Sequence, residues 1–126
     1  MSISLMIVDD DIDDIDMFME AVQEIGTSVD CISAQNGVEG IRLFNGLNSK
    51  PDFIFVDMNM PKLNGRQFIK EIRKNNLFDH IKLIMYSTCK LEEEEAELKY
   101  LGADTVITKP TSLAELRHEI TKVITK

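Results

Sequence analysis

The sequence predicts an α/β domain, a doubly wound five-stranded parallel sheet with helices on both faces. Five short apolar runs recur along the chain, and after each one apolar residues fall three and four positions apart, the spacing of one helix face. The runs are mostly apolar rather than strictly alternating, as strands covered on both faces should be. Parallel neighbours require crossover connections, and right-handed crossover helices pack back onto the sheet.

The elements follow in order. Ile3 to Val8 is the first strand, and Ile12, Ile15, Met19 and Val22 then hold helical phase until Gly26. Val29 to Ala34 is β-favouring, and "NGVEGIRLFNGL" places Val38, Ile41, Phe44 and Leu47 on a helix ahead of Pro51. Phe53 to Val56 is the third strand, followed by a loop with Pro61 and a helix carrying Phe68, Ile69 and Ile72. Ile81 to Tyr86 is the fourth, and "LEEEEAELKYLGA" reads as a helix with Glu92 to Glu95 near its positive N-terminal end. Thr105 to Thr108 leads through Pro110 to a last helix with Leu113, Leu116, Ile120 and Val123 in phase. No repeat or composition break marks a second domain, so residues 1–126 read as one unit.

Composition excludes several function classes. With 14 basic against 22 acidic residues and a net charge of −8, the chain is a poor partner for nucleic acid or an anionic membrane. The N-terminal apolar run ends at Val8 and has no basic flank, too short for a signal peptide or a membrane span, so the expected location is cytoplasmic. Cys31 and Cys89 have no metal-ligand spacing and read as reduced, structural thiols.

In a sheet of this kind ligands bind beyond the carboxyl ends of the strands, where strand order reverses. Asp9, Asp10 and Asp11 end the first strand, Asp57 the third, Ser87 and Thr88 the fourth, and Lys109 the fifth. Carboxylates crowded at one rim repel one another unless a cation joins them. With only oxygen donors and no His or Cys nearby in sequence, a hard divalent ion such as Mg²⁺ suits the set. A lysine and a hydroxyl at the same rim complete a phosphoryl site, with Asp57 as its nucleophile.

With "IVDDD", "FVDMNMPKLNG", "MYST" and "ITKP" in this order, the chain resembles the receiver domain of two-component response regulators, over essentially all of its length. The resemblance implies a flavodoxin-like three-layer sandwich with strand order 2-1-3-4-5. It implies that Asp57 accepts a phosphoryl group from the phosphohistidine of a histidine kinase or histidine phosphotransfer protein. Asp9 and Asp10 match the acidic pair for Mg²⁺, Asp10 directly and Asp9 through water, with the main-chain carbonyl of Asn59 as a further ligand. Ser87 matches the switch hydroxyl and Lys109 the phosphate-binding lysine, and Lys109-Pro110 is similar to the family's cis peptide. It further implies a phosphoacceptor switch rather than an enzyme, one that assists its own phosphorylation and dephosphorylation. No output domain follows the last helix, as in stand-alone regulators. Output then runs to a protein target through the face of the fourth helix, fifth strand and fifth helix, through a homodimer formed on phosphorylation, or by phosphate relay.

Other readings compete residue by residue. Asp after a strand is often only a cap, and Asp13, Asp14 and Asp16 lie in the first turns of a helix, where acidic residues suit the dipole and read as structural. His80 and His118 read as surface or partly packed residues, and Met58 and Met60 as packing. Asp9, Asp11, Asp13 and Glu20 match four places of a calcium-binding EF-hand loop, but Asp14 stands where that loop needs Gly. An aspartyl-phosphate hydrolase of the haloacid-dehalogenase type would carry a second carboxylate where Asn59 stands. A receiver fold used only as an unphosphorylated scaffold would not need the full set of rim residues.

Three positions depart from the family pattern. Val106 stands where the family usually has an aromatic ring that turns inward with the switch hydroxyl. Thr88 is branched where a small residue is usual, and Cys89 occupies a position that, with Asn59, tends to tune dephosphorylation.

Overall fold

The computed structural model describes residues 2–88 and 92–125. Five strands and five helices alternate: β1 (Ile3–Val8), α1 (Ile12–Ile25), β2 (Val29–Ala34), α2 (Gly37–Gly46), β3 (Phe53–Asp57), α3 (Gly65–Arg73), β4 (Lys82–Ser87), α4 (Glu95–Leu101), β5 (Thr105–Thr108) and α5 (Leu113–Ile124). The sheet is parallel with order β2-β1-β3-β4-β5, the flavodoxin-like arrangement expected. The order reverses between β1 and β3, which opens a crevice at their carboxyl ends.

Side chains alternate across the sheet and divide the core in two. Met6, Val8, Ile54, Val56, Leu83 and Met85 face α2, α3 and α4 with Phe44, Phe68, Ile69 and Leu98. Leu5, Ile7, Phe55, Ile84 and Tyr86 face α1 and α5 with Phe18, Leu116 and Ile120. On this second side Phe18 meets Phe55 and Tyr86 edge-on, at centroid distances of 4.9 and 5.9 Å. Each such pair adds about 0.5–1.5 kcal/mol beyond burial.

Helix starts are fixed by capping side chains. Asp11 Oδ1 accepts the Asp13 N–H at 2.9 Å, Asn36 caps α2, Ser112 caps α5, and Asn64 with Gln67 forms a reciprocal capping box on α3. α4 differs: it begins at Glu95 with no side-chain cap, and Glu92, Glu93 and Glu94 form a turn before it. The helix is therefore shorter than expected; a run of glutamates suits a helix dipole but offers no short side chain to close the first turn. Cys89 and Leu91 lie outside the described residues.

Two residues in helical phase are not core residues. Ile12 and Val38 are exposed, whereas Phe18 is fully buried and Met19 only half so. A cap at Asp11 puts Ile12 at the very start of α1.

Candidate functional site

β1, β3, β4 and β5 bring Asp9, Asp57, Ser87 and Lys109 to one end of the sheet. Asp9 follows β1 with its N–H on the Ala34 carbonyl at 3.1 Å, so pairing with β2 extends to it and buries it completely. Its Oδ1 accepts the Asp11 N–H at 3.0 Å. Asp57 is the last residue of β3 and 7% exposed, and Ser87 is the last of β4 and 1% exposed. Lys109 follows β5 and donates its N–H to the Ser87 carbonyl at 2.6 Å.

The loop after Asp57 is tight. Gly65 opens α3 directly on the end of β3, its N–H on the Met58 carbonyl at 3.0 Å; a Cβ there would lie 2.7 Å from the Asp57 carbonyl oxygen. Lys62, between the bonded Pro61 and Leu63, takes φ 69°. Rigid elements on both sides thus hold Asp57 at the rim, while Asn59, two residues on, is exposed.

Lys109 organises the charges. Its Nζ lies 2.6 Å from Asp9 Oδ2, 2.8 Å from Asp14 Oδ2 and 3.5 Å from Asp57 Oδ1, and 5.3 Å from the centre of the Tyr86 ring beneath it. Carboxylate oxygens of Asp9, Asp10 and Asp57 lie within 4.8 Å of one another, Asp10 being the exposed member. Asp9 Oδ2 is buried and, although so near the ammonium, meets no donor along a hydrogen-bonding direction, so that contact is ionic.

Burial dominates the electrostatics. Burial first, then the Asp9 charge and the neighbouring Asp10, push the Asp57 carboxyl up to about 7 against the opposing Lys109 ammonium. Asp9 is raised as well, burial outweighing the lysine. Burial alone would lower Lys109, but Asp14, Asp9 and Asp57 hold it above its ordinary range. An oxygen-only set of three converging carboxylates, one with a buried oxygen lacking a hydrogen bond, fits a hard divalent cation.

Asp9, Asp10, Asp57, Ser87 and Lys109, read from the sequence as rim residues, are thus gathered at one end of the sheet. Asp11 is the cap of α1, and the segment after it is helix, which disposes of a calcium loop. The Lys109-Pro110 peptide is trans, not cis as expected; no cis peptide occurs among the described residues. The Ser87 carbonyl and the carboxylates already fix Lys109 without one. Asp14 is more than a dipole residue, because it accepts a hydrogen bond from Lys109. Its signal was available: Asp14 stands one turn before Phe18, in line with the buried face of α1. His80 and His118 are exposed. Val106 is half-buried and packs against the core on the α2, α3 and α4 side.

The site thus joins clustered carboxylates, a hydroxyl and a buried lysine at the strand ends of a doubly wound α/β fold. Residues 5–121 match the response regulator receiver domain, and the chain belongs to that family of two-component signalling domains. It is 30% identical over 108 residues to the sensor histidine kinase CheAY of Helicobacter pylori, covering 86% of this chain and 13% of that protein. It is 35% identical over 121 residues to the protein-glutamate methylesterase/protein-glutamine glutaminase of Methanococcoides burtonii, covering 91% of this chain and 33% of that one. The chain thus spans a third or less of the length of these two relatives. The chemotaxis response regulator CheY4 of Vibrio cholerae has the same fold, with a TM-score of 0.85 at 24% identity over 98% of this chain and 99% of that one. Among the described residues no helix is long and apolar enough to cross a membrane.

Proposed function

We propose that the chain is a phosphoacceptor switch of a two-component phosphorelay, with Asp57 taking a phosphoryl group from the phosphohistidine of a histidine kinase or histidine phosphotransfer protein. The observation that carries this reading is the buried Lys109 ammonium held among Asp9, Asp14 and Asp57 at the strand ends. A carboxylate oxygen of Asp57 attacks phosphorus, the phosphorus–nitrogen bond breaks, and the leaving imidazole takes up a proton. Lys109 neutralises charge that spreads over the transferring oxygens, and the hydroxyl of Ser87, at the end of the adjacent strand, would donate to one of them. Asp9, Asp10, Asp57 and the main-chain carbonyl of Asn59 would hold Mg²⁺, which supplies further neutralisation of the phosphoryl oxygens. Attack by water on the acyl phosphate restores the carboxylate and releases inorganic phosphate, so the domain contributes to its own reset.

Output goes to a protein partner or a second copy through α4, β5 and α5, in the cytoplasm. A groove of about 830 Å³ runs along β5 and α5, lined by Val106, Ile107, Glu119 and Lys122 among others, and supports that reading. With Mg²⁺ and acetyl phosphate the chain should take up one phosphoryl group, stable in acid and labile in base, and Asp57→Asn should take up none. Sustained release of phosphate from small phosphate esters would instead favour a hydrolase.

A further inference from the structure

Asp14 belongs neither to a strand end nor to the carboxylate cluster of Asp9, Asp10 and Asp57, yet it holds the lysine at that rim. Its Oδ2 accepts a hydrogen bond from Lys109 Nζ at 2.8 Å, whereas Asp57 Oδ1 is 3.5 Å from the same nitrogen. Asp9, at 2.6 Å, also draws the ammonium from Asp57, but Asp9 is a member of the cluster and fully buried. Asp14 comes instead from α1, whose first turn is capped by Asp11 and whose next residues, Ile15 and Phe18, are anchored in the core. Its carboxylate therefore has a fixed origin, and the four-carbon stem of Lys109 is the mobile partner.

We propose that Asp14 is a positioning residue that latches Lys109 toward α1 while Asp57 is unmodified, so that a phosphoryl group on Asp57 has to draw the ammonium away from it. The proposal rests on Asp57 being the phosphoacceptor. A phosphoryl group carries nearly two negative charges and three acceptor oxygens against the single charge of Asp14, so it wins the competition. The cost of breaking the 2.8 Å contact is subtracted from the stability of the modified state. Asp14 thereby sets how readily the switch turns on, and the first turn of α1 reports the change.

The test is titration of the full chain with beryllofluoride, a phosphoryl mimic, at saturating Mg²⁺, followed by backbone amide NMR. Asp14→Asn should bind beryllofluoride about 3- to 30-fold more tightly, the range of a partly exposed charge-assisted contact. Asp14→Glu should return toward wild type. Asp13→Asn neutralises an exposed charge in the same turn that makes no contact with Lys109, and it should change the affinity less than about twofold. Asp14→Ser provides the same reading should the asparagine variant fold poorly. Unchanged or weaker binding in Asp14→Asn and Asp14→Ser, or an equal gain in Asp13→Asn, overturns the latch. No binding by wild type overturns the phosphoacceptor reading and the latch with it.

Discussion

Lys109 Nζ stands 3.5 Å from Asp57 Oδ1, within ionic reach of the strand-end carboxylate without closing on it. The lysine is the only cation among the described residues that contacts Asp9, which is fully buried. Removing it leaves two buried carboxylates without a counterion. Lys109→Met should lower stability by roughly 3 kcal/mol at neutral pH without Mg²⁺, with most of the loss recovered below about pH 5 as the carboxyls protonate. Urea unfolding at the two pH values checks this.

The Asp57 carboxyl, raised to about 7, makes stability depend on pH with a definite sign. Its folded value lies above its unfolded one, so its contribution is fully present below about pH 4 and lost as pH rises through about 7. Asp57→Asn should therefore be more stable than wild type at pH 8 in the absence of divalent ions, by on the order of 1–3 kcal/mol, and the difference should vanish near pH 4. Parallel thermal melts at both pH values read the effect.

Asp10 is the exposed member of the carboxylate cluster and raises Asp57 by its proximity. Asp10→Ala should weaken Mg²⁺ binding at least about tenfold while apo stability holds or rises. Calorimetric titration with Mg²⁺, paired with a melt of the apo protein, separates the two. A sharp fall in apo stability would make Asp10 a structural cap.

Gly65 has no room for a side chain against the Asp57 carbonyl oxygen. Gly65→Ala should cost about 1–3 kcal/mol by pushing α3 off the end of β3, and should displace the amide resonances of residues 57–60. Stability within about 0.5 kcal/mol of wild type would show that the approach of α3 is not needed to aim Asp57.

The rim was legible because it has a simple physical signature. Asp9 and Asp57 stand at the ends of the largely buried apolar strands β1 and β3 and Lys109 follows β5, and capping explains any one of these charges but not the set. Boundaries set by single side chains were not legible. The start of α4 depends on whether a short polar residue closes its first turn, and the exposure of Ile12 depends on the cap at Asp11. Asp14 was hidden by being one of several acids in a first turn, where the dipole explains each of them equally well. Only the line it shares with Phe18 sets it apart. Tyr86, the floor under Lys109, read simply as the end of a strand.

The central claim is that Asp57 carries the phosphoryl group. The direct measurement is phosphorylation with acetyl phosphate and Mg²⁺, reduction of the acyl phosphate with borohydride, and peptide mapping by mass spectrometry. Borohydride delivers hydride to the carbonyl carbon and expels phosphate, so a phosphorylated aspartate becomes homoserine. The account predicts homoserine at position 57 alone, and none in Asp57→Asn. A phosphoryl group found on Ser87, His80 or His118, or homoserine at Asp9 or Asp10 with Asp57 intact, would contradict it.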